Sequence, residues 1–286
     1  MRSSVRPAAV CQDDAVVWVV DLDGVVWRAA QPIAGSAEAL NRIQEAGRRV
    51  VLCTNNSTYT VAQYRRRLVD AGVKLDRVEL VTSAQAAATL LAPGSSALVL
   101  AGPGVVEALR DRSVEVVEPA GGIEPPPIGP RARDGRRPDA VVIGWDRAFD
   151  LVRLSQAQRA VHEGARLIGT NEDATFPTPD GLLPGTGAFL AAVETASGTR
   201  AEVAGKPHEP MVRLVRQLVA GDGKVEIVVG DRPATDGQLA RALNAPFGLV
   251  LSGVTGAGEG AGGGSSGVPA DRNASDLAAL VAELLD

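Results

Sequence analysis

Four short apolar runs, at residues 16–20, 50–53, 227–229 and 248–251, show no alternation between apolar and polar positions. A strand with one wet face alternates. A continuous apolar run belongs to a strand covered on both faces, as parallel strands between helices are. Residues 37–46 have the spacing of a helix stopped by Gly47, and residues 61–71 form a second helical pattern. The order strand, helix, strand, helix predicts an α/β fold built on a doubly wound parallel sheet.

After a helix at 83–91 and the stop Pro93-Gly94, a second series of elements follows. It comprises strands at 97–100, 140–143 and 166–168 and a helix at 155–163. The first pattern returns with a strand at 227–229, a helix around 236–243 and a closing helix at 276–285. At roughly 150 residues per domain, 286 residues make about two domains. We expect a core from residues 14–91 and 203–286, interrupted by an inserted α/β domain at 92–202. Two stretches carry too much Pro, Gly or Arg for regular structure, 121–138 and 253–267. Arg131, Arg133, Arg136 and Arg137 could draw in an anion, but the composition favours a solvated, disordered loop.

Ligands of open α/β sheets bind beyond the carboxyl ends of the strands. Asp21-Leu22-Asp23-Gly24 follows the first strand, Thr54-Asn55-Asn56-Ser57 the second, and Gly230-Asp231-Arg232, with Asp236 further on, the strand near Val229. Lys206 precedes a helix that begins near Pro207. Each piece alone reads as a turn, a helix cap or a surface lysine. Together, in order and each at an element's end, they point to one site. Two like charges 4 Å apart cost about 4 kcal/mol at an effective dielectric of 20, so converging carboxylates need a cation. Mg²⁺ suits oxygen ligands and phosphate, with Asp21 and Asp231 as side-chain ligands. A carboxylate can attack phosphorus, and Lys206 can neutralise the incoming anion. Thr54 can hold phosphate oxygens, and Asp23 can serve the leaving oxygen and the water as acid and base.

The charge balance excludes other classes. The net charge is -5, from 34 acidic and 29 basic residues, which argues against nucleic acid as a partner. No apolar stretch approaches the roughly 20 residues that span a bilayer. Residues 1–14 lack the apolar core of a signal peptide. Two cysteines, Cys11 and Cys53, and two histidines, His162 and His208, do not build a four-ligand zinc site easily. The expected compartment is the cytoplasm. Gly102-Pro103-Gly104 hints at a dinucleotide turn, but Glu107 stands at the third glycine position. Gly205-Lys206 lacks the Ser or Thr of a P-loop, and no G-x-S-x-G elbow occurs. A phosphotransferase using the same carboxylate, or a silent phosphate-binding protein, remains as an alternative reading.

Asp21-Leu22-Asp23-Gly24-Val25-Val26-Trp27, Thr54-Asn55-Asn56-Ser57, Gly205-Lys206-Pro207 and the segment from Gly230 to Asp236 resemble, in order, the four motifs of the haloacid dehalogenase superfamily of phosphatases. The segments at 170–177 and 181–187 resemble its NagD-like, p-nitrophenyl phosphatase branch. The resemblance implies a phosphatase of small phosphorylated molecules, with Asp21 as nucleophile and Asp23 as acid and base. It implies Thr54, Asn55 and Asn56 at the phosphoryl group and Lys206 as the neutralising cation. Mg²⁺ would be held by Asp21, the Asp23 carbonyl and Asp231, with Asp236 behind. The insert would be a C2-type cap that selects substrate, with Asn171 and Asp173 facing it. By the same resemblance a homodimer is expected. Phe176 stands where the pyridoxal-phosphate enzymes of the branch carry histidine, which counts against that substrate.

Overall fold

The computed structural model describes residues 16–28, 31–121, 129–178, 181–220, 223–253 and 267–286. In chain order the elements are β1 (Val16–Val20), β2 (Trp27–Arg28), β3 (Gln31–Pro32), α1 (Ser36–Glu45), β4 (Arg49–Thr54), α2 (Val61–Asp70), β5 (Val78–Thr82) and α3 (Ser83–Ala88). Then come β6 (Ser96–Leu100), α4 (Pro103–Asp111), β7 (Glu115–Val117), β8 (Ala140–Ile143), α5 (Leu151–His162), β9 (Arg166–Gly169), β10 (Thr175–Thr178), β11 (Gly181–Pro184), α6 (Thr186–Ser197) and β12 (Glu202–Val203). The chain closes with α7 (Glu209–Val219), β13 (Lys224–Gly230), a π-helical turn (Pro233–Gly237), α8 (Gln238–Ala242), β14 (Phe247–Val250), β15 (Arg272–Ala274) and α9 (Leu277–Leu285).

The absence of alternation in β1 has a direct cause. Val17 and Val19 pack with Val51, Cys53 and Val228 on one face of a six-stranded sheet. Trp18 and Val20 pack with Val50, Leu52, Ile227 and Val229 on the other. Both faces are dry, and each fully buried side chain of this size contributes about 1.5–3 kcal/mol. The strand order is β15-β14-β13-β1-β4-β5, with every pairing parallel. The α/β class and the parallel, doubly covered sheet are therefore as the apolar runs foretell. Val20 lies opposite Leu52 of β4 and Val229 of β13, so the tips of three adjacent strands end side by side.

A second parallel sheet, ordered β12-β9-β8-β6-β7, comes from the chain between α3 and α7. Its Val99, Val142 and Ile168 join the same apolar cluster as Val17 and Val51, to which Ala84 and Ala87 of α3 also belong. Leu98, Leu100, Val141 and Ile143 point the other way, under α5 and α6.

Several elements lie outside the sequence expectation. Helix α5 starts at Leu151 rather than at residue 155, because the Asp150 side chain accepts the Arg153 N–H and caps it there. The strands β2, β3, β5, β7, β12 and β15, the hairpin β10–β11, and the helices α4 and α6 have no counterpart among the expected elements. The first turn after Asp231 is π-helical rather than α-helical. Residues 129–138 form no helix or strand, as expected. They are not a solvated tangle, however. Arg131 donates to Glu163 at 2.9 Å, Arg137 approaches the same carboxylate at 3.4 Å, and Ala132 is buried. Residues 122–128 of that loop and 254–266 of the glycine-rich loop lie outside the described residues.

Candidate active site

The strand tips deliver the side chains. Asp21 follows β1, Thr54 ends β4, and Asp231 follows β13. Asp21 is fixed at its root by its own N–H, which donates to the Val229 carbonyl at 2.9 Å. Asp236 sits in the π-helical turn, where its Oδ2 accepts the Arg232 N–H at 3.1 Å. Carboxylate oxygens of Asp21, Asp231 and Asp236 all fall within 4.8 Å of one another, and all three residues are buried.

Lys206 enters this cluster from the loop before α7. Its Nζ donates to Asp21 Oδ1 at 2.7 Å, Asp236 Oδ1 at 2.7 Å and the Cys53 carbonyl at 2.9 Å. Asn55 holds the lysine's main chain from both sides: Oδ1 accepts the Lys206 N–H at 2.7 Å, and Nδ2 donates to the Lys206 carbonyl at 3.2 Å. Burial opposes the ammonium, yet Asp21 and Asp236 outweigh it and hold the Lys206 pKa well above the ordinary lysine value. For Asp21, burial pushes the pKa well up; Lys206 pulls against that push, while Asp236 and Asp231 add to it.

These charges do not balance. Three carboxylates against one ammonium leave two negative charges. Arg232 does not cancel them freely, since it lies 3.5 Å from Asp173. The donor set is all oxygen and buried, and its excess charge equals that of one divalent ion, so the residues present fit a hard divalent cation. Gly24 is required beside it. Its φ is 92°, and a Cβ there would collide with the Asp231 carboxylate.

Asp23 sits at the mouth of the cluster. Its Oδ1 accepts the Trp27 indole N–H at 3.1 Å, and its Oδ2 has long contacts of 3.4 Å with Thr54 Oγ1 and Asn56 Nδ2. Burial raises the Asp23 pKa, against the hydrogen bonds from Asn56 and Trp27. Thr54 Oγ1 also accepts the Asn56 N–H at 3.0 Å, and Asn56 Oδ1 accepts the Thr58 N–H at 3.0 Å.

The second sheet supplies the opposite wall. Asn171 donates to the Asn55 carbonyl at 2.7 Å and accepts the Asp173 N–H at 3.1 Å, so it ties this wall to the strand tips. Burial raises the Asp173 pKa, against the pull of Arg232. Trp145 and Phe176 stack with centroids 4.8 Å apart. A cavity of about 290 Å³ is lined by nine of the residues singled out from sequence: Asp21, Asp23, Thr54, Asn55, Asn56, Asn171, Asp173, Lys206 and Asp231. Asp236 lies behind it, against Lys206. Three contributors carry no mark in the sequence: Trp145, which lines the same cavity, Trp27 and the Cys53 carbonyl. Trp27 stood inside the first motif but carried no assigned role, and a carbonyl leaves no trace in residue type.

Known proteins resemble this chain in sequence and fold. Residues 18–115 match the model of the haloacid dehalogenase-like hydrolases, and residues 203–280 match a second, HAD-hydrolase-like model. The D-glycerol 3-phosphate phosphatase of Mycobacterium tuberculosis is 35% identical over 243 residues, covering 84% of this chain but 64% of that longer protein. The glycerol-3-phosphate phosphatase of Homo sapiens is 32% identical over 275 residues, 89% of this chain and 84% of that protein. The p-nitrophenyl phosphatase from Archaeoglobus fulgidus superimposes with a TM-score of 0.80 at 27% identity, covering 95% of this chain and all of the other. A glycerol phosphate phosphatase from Mycobacterium tuberculosis has been solved with magnesium and with calcium. Its TM-score is 0.77 at 31% identity in both, with 94% and 92% of this chain and 77% and 74% of that chain covered.

The chain belongs to the haloacid dehalogenase-like hydrolases. Its site holds the carboxylates and lysine that the four motifs supply, and the relatives described above are all phosphatases. Within the family it stands with the phosphatases. No helix among the described residues is long and apolar enough to cross a membrane.

Proposed function

We propose that this chain is a Mg²⁺-dependent phosphatase that hydrolyses a small phosphate monoester through an aspartyl-phosphate on Asp21. One observation carries the reading. Asp21, Asp231 and Asp236 gather within 4.8 Å at the tips of adjacent parallel strands, with Lys206 bound to two of them, facing a cavity large enough for a small molecule.

In this reading, Asp21, the Asp23 carbonyl and Asp231 would hold Mg²⁺, which supplies charge neutralisation for the phosphoryl oxygens. Asp21 attacks phosphorus, and Lys206 offsets the charge the phosphate brings. Asp23 protonates the leaving oxygen and then takes a proton from the water that attacks the acyl phosphate. Thr54 and Asn56 face the phosphoryl oxygens. The Asn55 side chain is committed to Lys206, so its service to the phosphate runs through its backbone and through the lysine it positions. Asp236 keeps Lys206 in place. Residues 92–202 act as a cap; the pairing of Val203 with Gly169 carries that unit one residue further. Asn171, Asp173, Trp145 and Phe176 form its substrate-facing wall. The relatives make glycerol 3-phosphate the first substrate to test. A cytoplasmic location and a homodimer complete the reading.

The test is phosphate release from p-nitrophenyl phosphate and glycerol 3-phosphate with Mg²⁺, by wild type and by Asp21→Asn. Release by wild type and none by the variant supports the reading. Equal release by both overturns it, and an isomerised product without free phosphate would mark a phosphotransferase.

A further inference from the structure

We propose that Trp27 is a positioning residue that decides which oxygen of Asp23 delivers the proton to the leaving group. The inference rests on the reading of Asp23 as the acid and base, and deepens it.

The turn after β1 brings the two side chains together. The Leu22 carbonyl accepts N–H groups from Val25, Val26 and Trp27, and the Gly24 N–H donates to the Trp27 carbonyl at 2.7 Å. The chain thus folds back within four residues, and the Trp27 indole N–H reaches Asp23 Oδ1 at 3.1 Å. The indole is not free to turn. It is 2% exposed and stacked on Tyr64 with centroids 6.2 Å apart and planes 10° from parallel. The Arg67 guanidinium lies 4.3 Å from the ring centroid. Tyr64 is anchored in turn, donating its hydroxyl to the Asn56 carbonyl at 2.9 Å. Asn56 then returns to Asp23, with Nδ2 3.4 Å from Oδ2. The four residues form a closed ring of contacts around one carboxyl group.

That ring treats the two oxygens differently. Indole nitrogen is a donor only. An oxygen that accepts the N–H cannot also present its own proton along the same line. Oδ2 also meets a donor-only group, Asn56 Nδ2, but at 3.4 Å against 3.1 Å for the indole, and it faces the Thr54 hydroxyl, which can accept, so a proton on Asp23 is favoured on Oδ2. In the first step the Asp21–phosphorus bond forms and the phosphorus–leaving-oxygen bond breaks. The bonding pair goes to that oxygen, which takes the proton from Oδ2. In the second step the water oxygen bonds phosphorus, the Asp21–phosphorus bond breaks, and Oδ2 takes a proton from the water. Without the indole donor the carboxyl group can rotate and protonate either oxygen, and the productive geometry is diluted.

Leaving-group chemistry tests this. Phenyl and p-nitrophenyl phosphate have nearly the same shape, but phenolate is a poor leaving group, its acid having a pKa about 10 as in tyrosine. p-Nitrophenolate leaves without much help. The experiment measures kcat/KM for both substrates with Mg²⁺ in wild type, Trp27→Phe, Asp23→Asn, and a variant carrying β-(benzothien-3-yl)alanine at position 27. That residue keeps the bicyclic shape and lacks the N–H, so it answers even where Trp27→Phe unfolds. For both Trp27 replacements, kcat/KM on phenyl phosphate is expected to fall about tenfold more than on p-nitrophenyl phosphate. Asp23→Asn should show the same bias, larger. If Asp23→Asn shows the bias but the Trp27 replacements lower both substrates equally, or neither, the positioning role is wrong while the acid stands. If Asp23→Asn shows no bias, the acid assignment fails and the positioning role falls with it.

Discussion

The ammonium of Lys206 lies 2.7 Å from Asp21 Oδ1 and 2.7 Å from Asp236 Oδ1, and all three side chains are buried. One cation therefore serves two carboxylates that would otherwise repel each other in the interior. Removing one partner of a buried charge group leaves the others unmatched, at a cost of about 3–5 kcal/mol. Lys206→Met should lose that much unfolding free energy in urea titrations of the metal-free protein, and lose turnover. A variant as stable as wild type would show that the lysine does not offset these charges.

The gathering of three carboxylates around one lysine carries a second prediction. A ligand that binds only the folded state stabilises it by RT ln(1 + [L]/Kd), about 2.7 kcal/mol at a hundredfold excess over Kd. Added Mg²⁺ should raise the melting temperature and restore activity lost in EDTA. Asp231→Asn should abolish the rise. A melting temperature indifferent to Mg²⁺ in wild type would contradict the divalent site.

Cys53 offers a check on the interior behind the site. It is 1% exposed, and burial pushes its thiol up to about 12. The folded value is raised above the ordinary thiol value of about 9.0, so the unfolded chain loses its proton first. Whatever stability the neutral thiol leaves intact at lower pH is eroded as pH rises from about 9 to about 12. In a Cys11→Ser background, a thiol reagent at pH 8 should label nothing in the native protein and one site in denaturant. Rapid native labelling would place Cys53 elsewhere. Cys53→Ala should show a shallower loss of stability across the alkaline range than its parent.

The strand tips were readable because their causes are local. Val16–Val20 is apolar throughout, since both faces of β1 are buried, and Asp21 follows because a parallel sheet binds ligands at that end. The hairpin β10–β11 was not readable. Gly181–Pro184 is exposed along its whole length, so no burial pattern marks it. Arg272–Ala274 is mostly polar and exposed at the sheet edge and hides for the same reason. Strand β5 carries Glu79, which pairs with Arg49 of β4 and interrupts the apolar run. In the site, the residue types marked positions that the fold brings together, but their partners did not show. Asn55 was expected at the phosphate, and its amide turns out to hold the main chain of a lysine 151 positions away. Only the folded chain shows such a pairing.

The proposed reaction requires Asp21 to form a covalent bond to phosphorus. A reaction with p-nitrophenyl phosphate and Mg²⁺, quenched in acid and treated with borohydride, should reduce an acyl phosphate to homoserine, and peptide mass spectrometry locates the residue. Homoserine is expected at position 21 and nowhere else, and is absent from Asp21→Asn. Conversion at Asp23 or Asp231 instead, or steady phosphate release by Asp21→Asn, would contradict it.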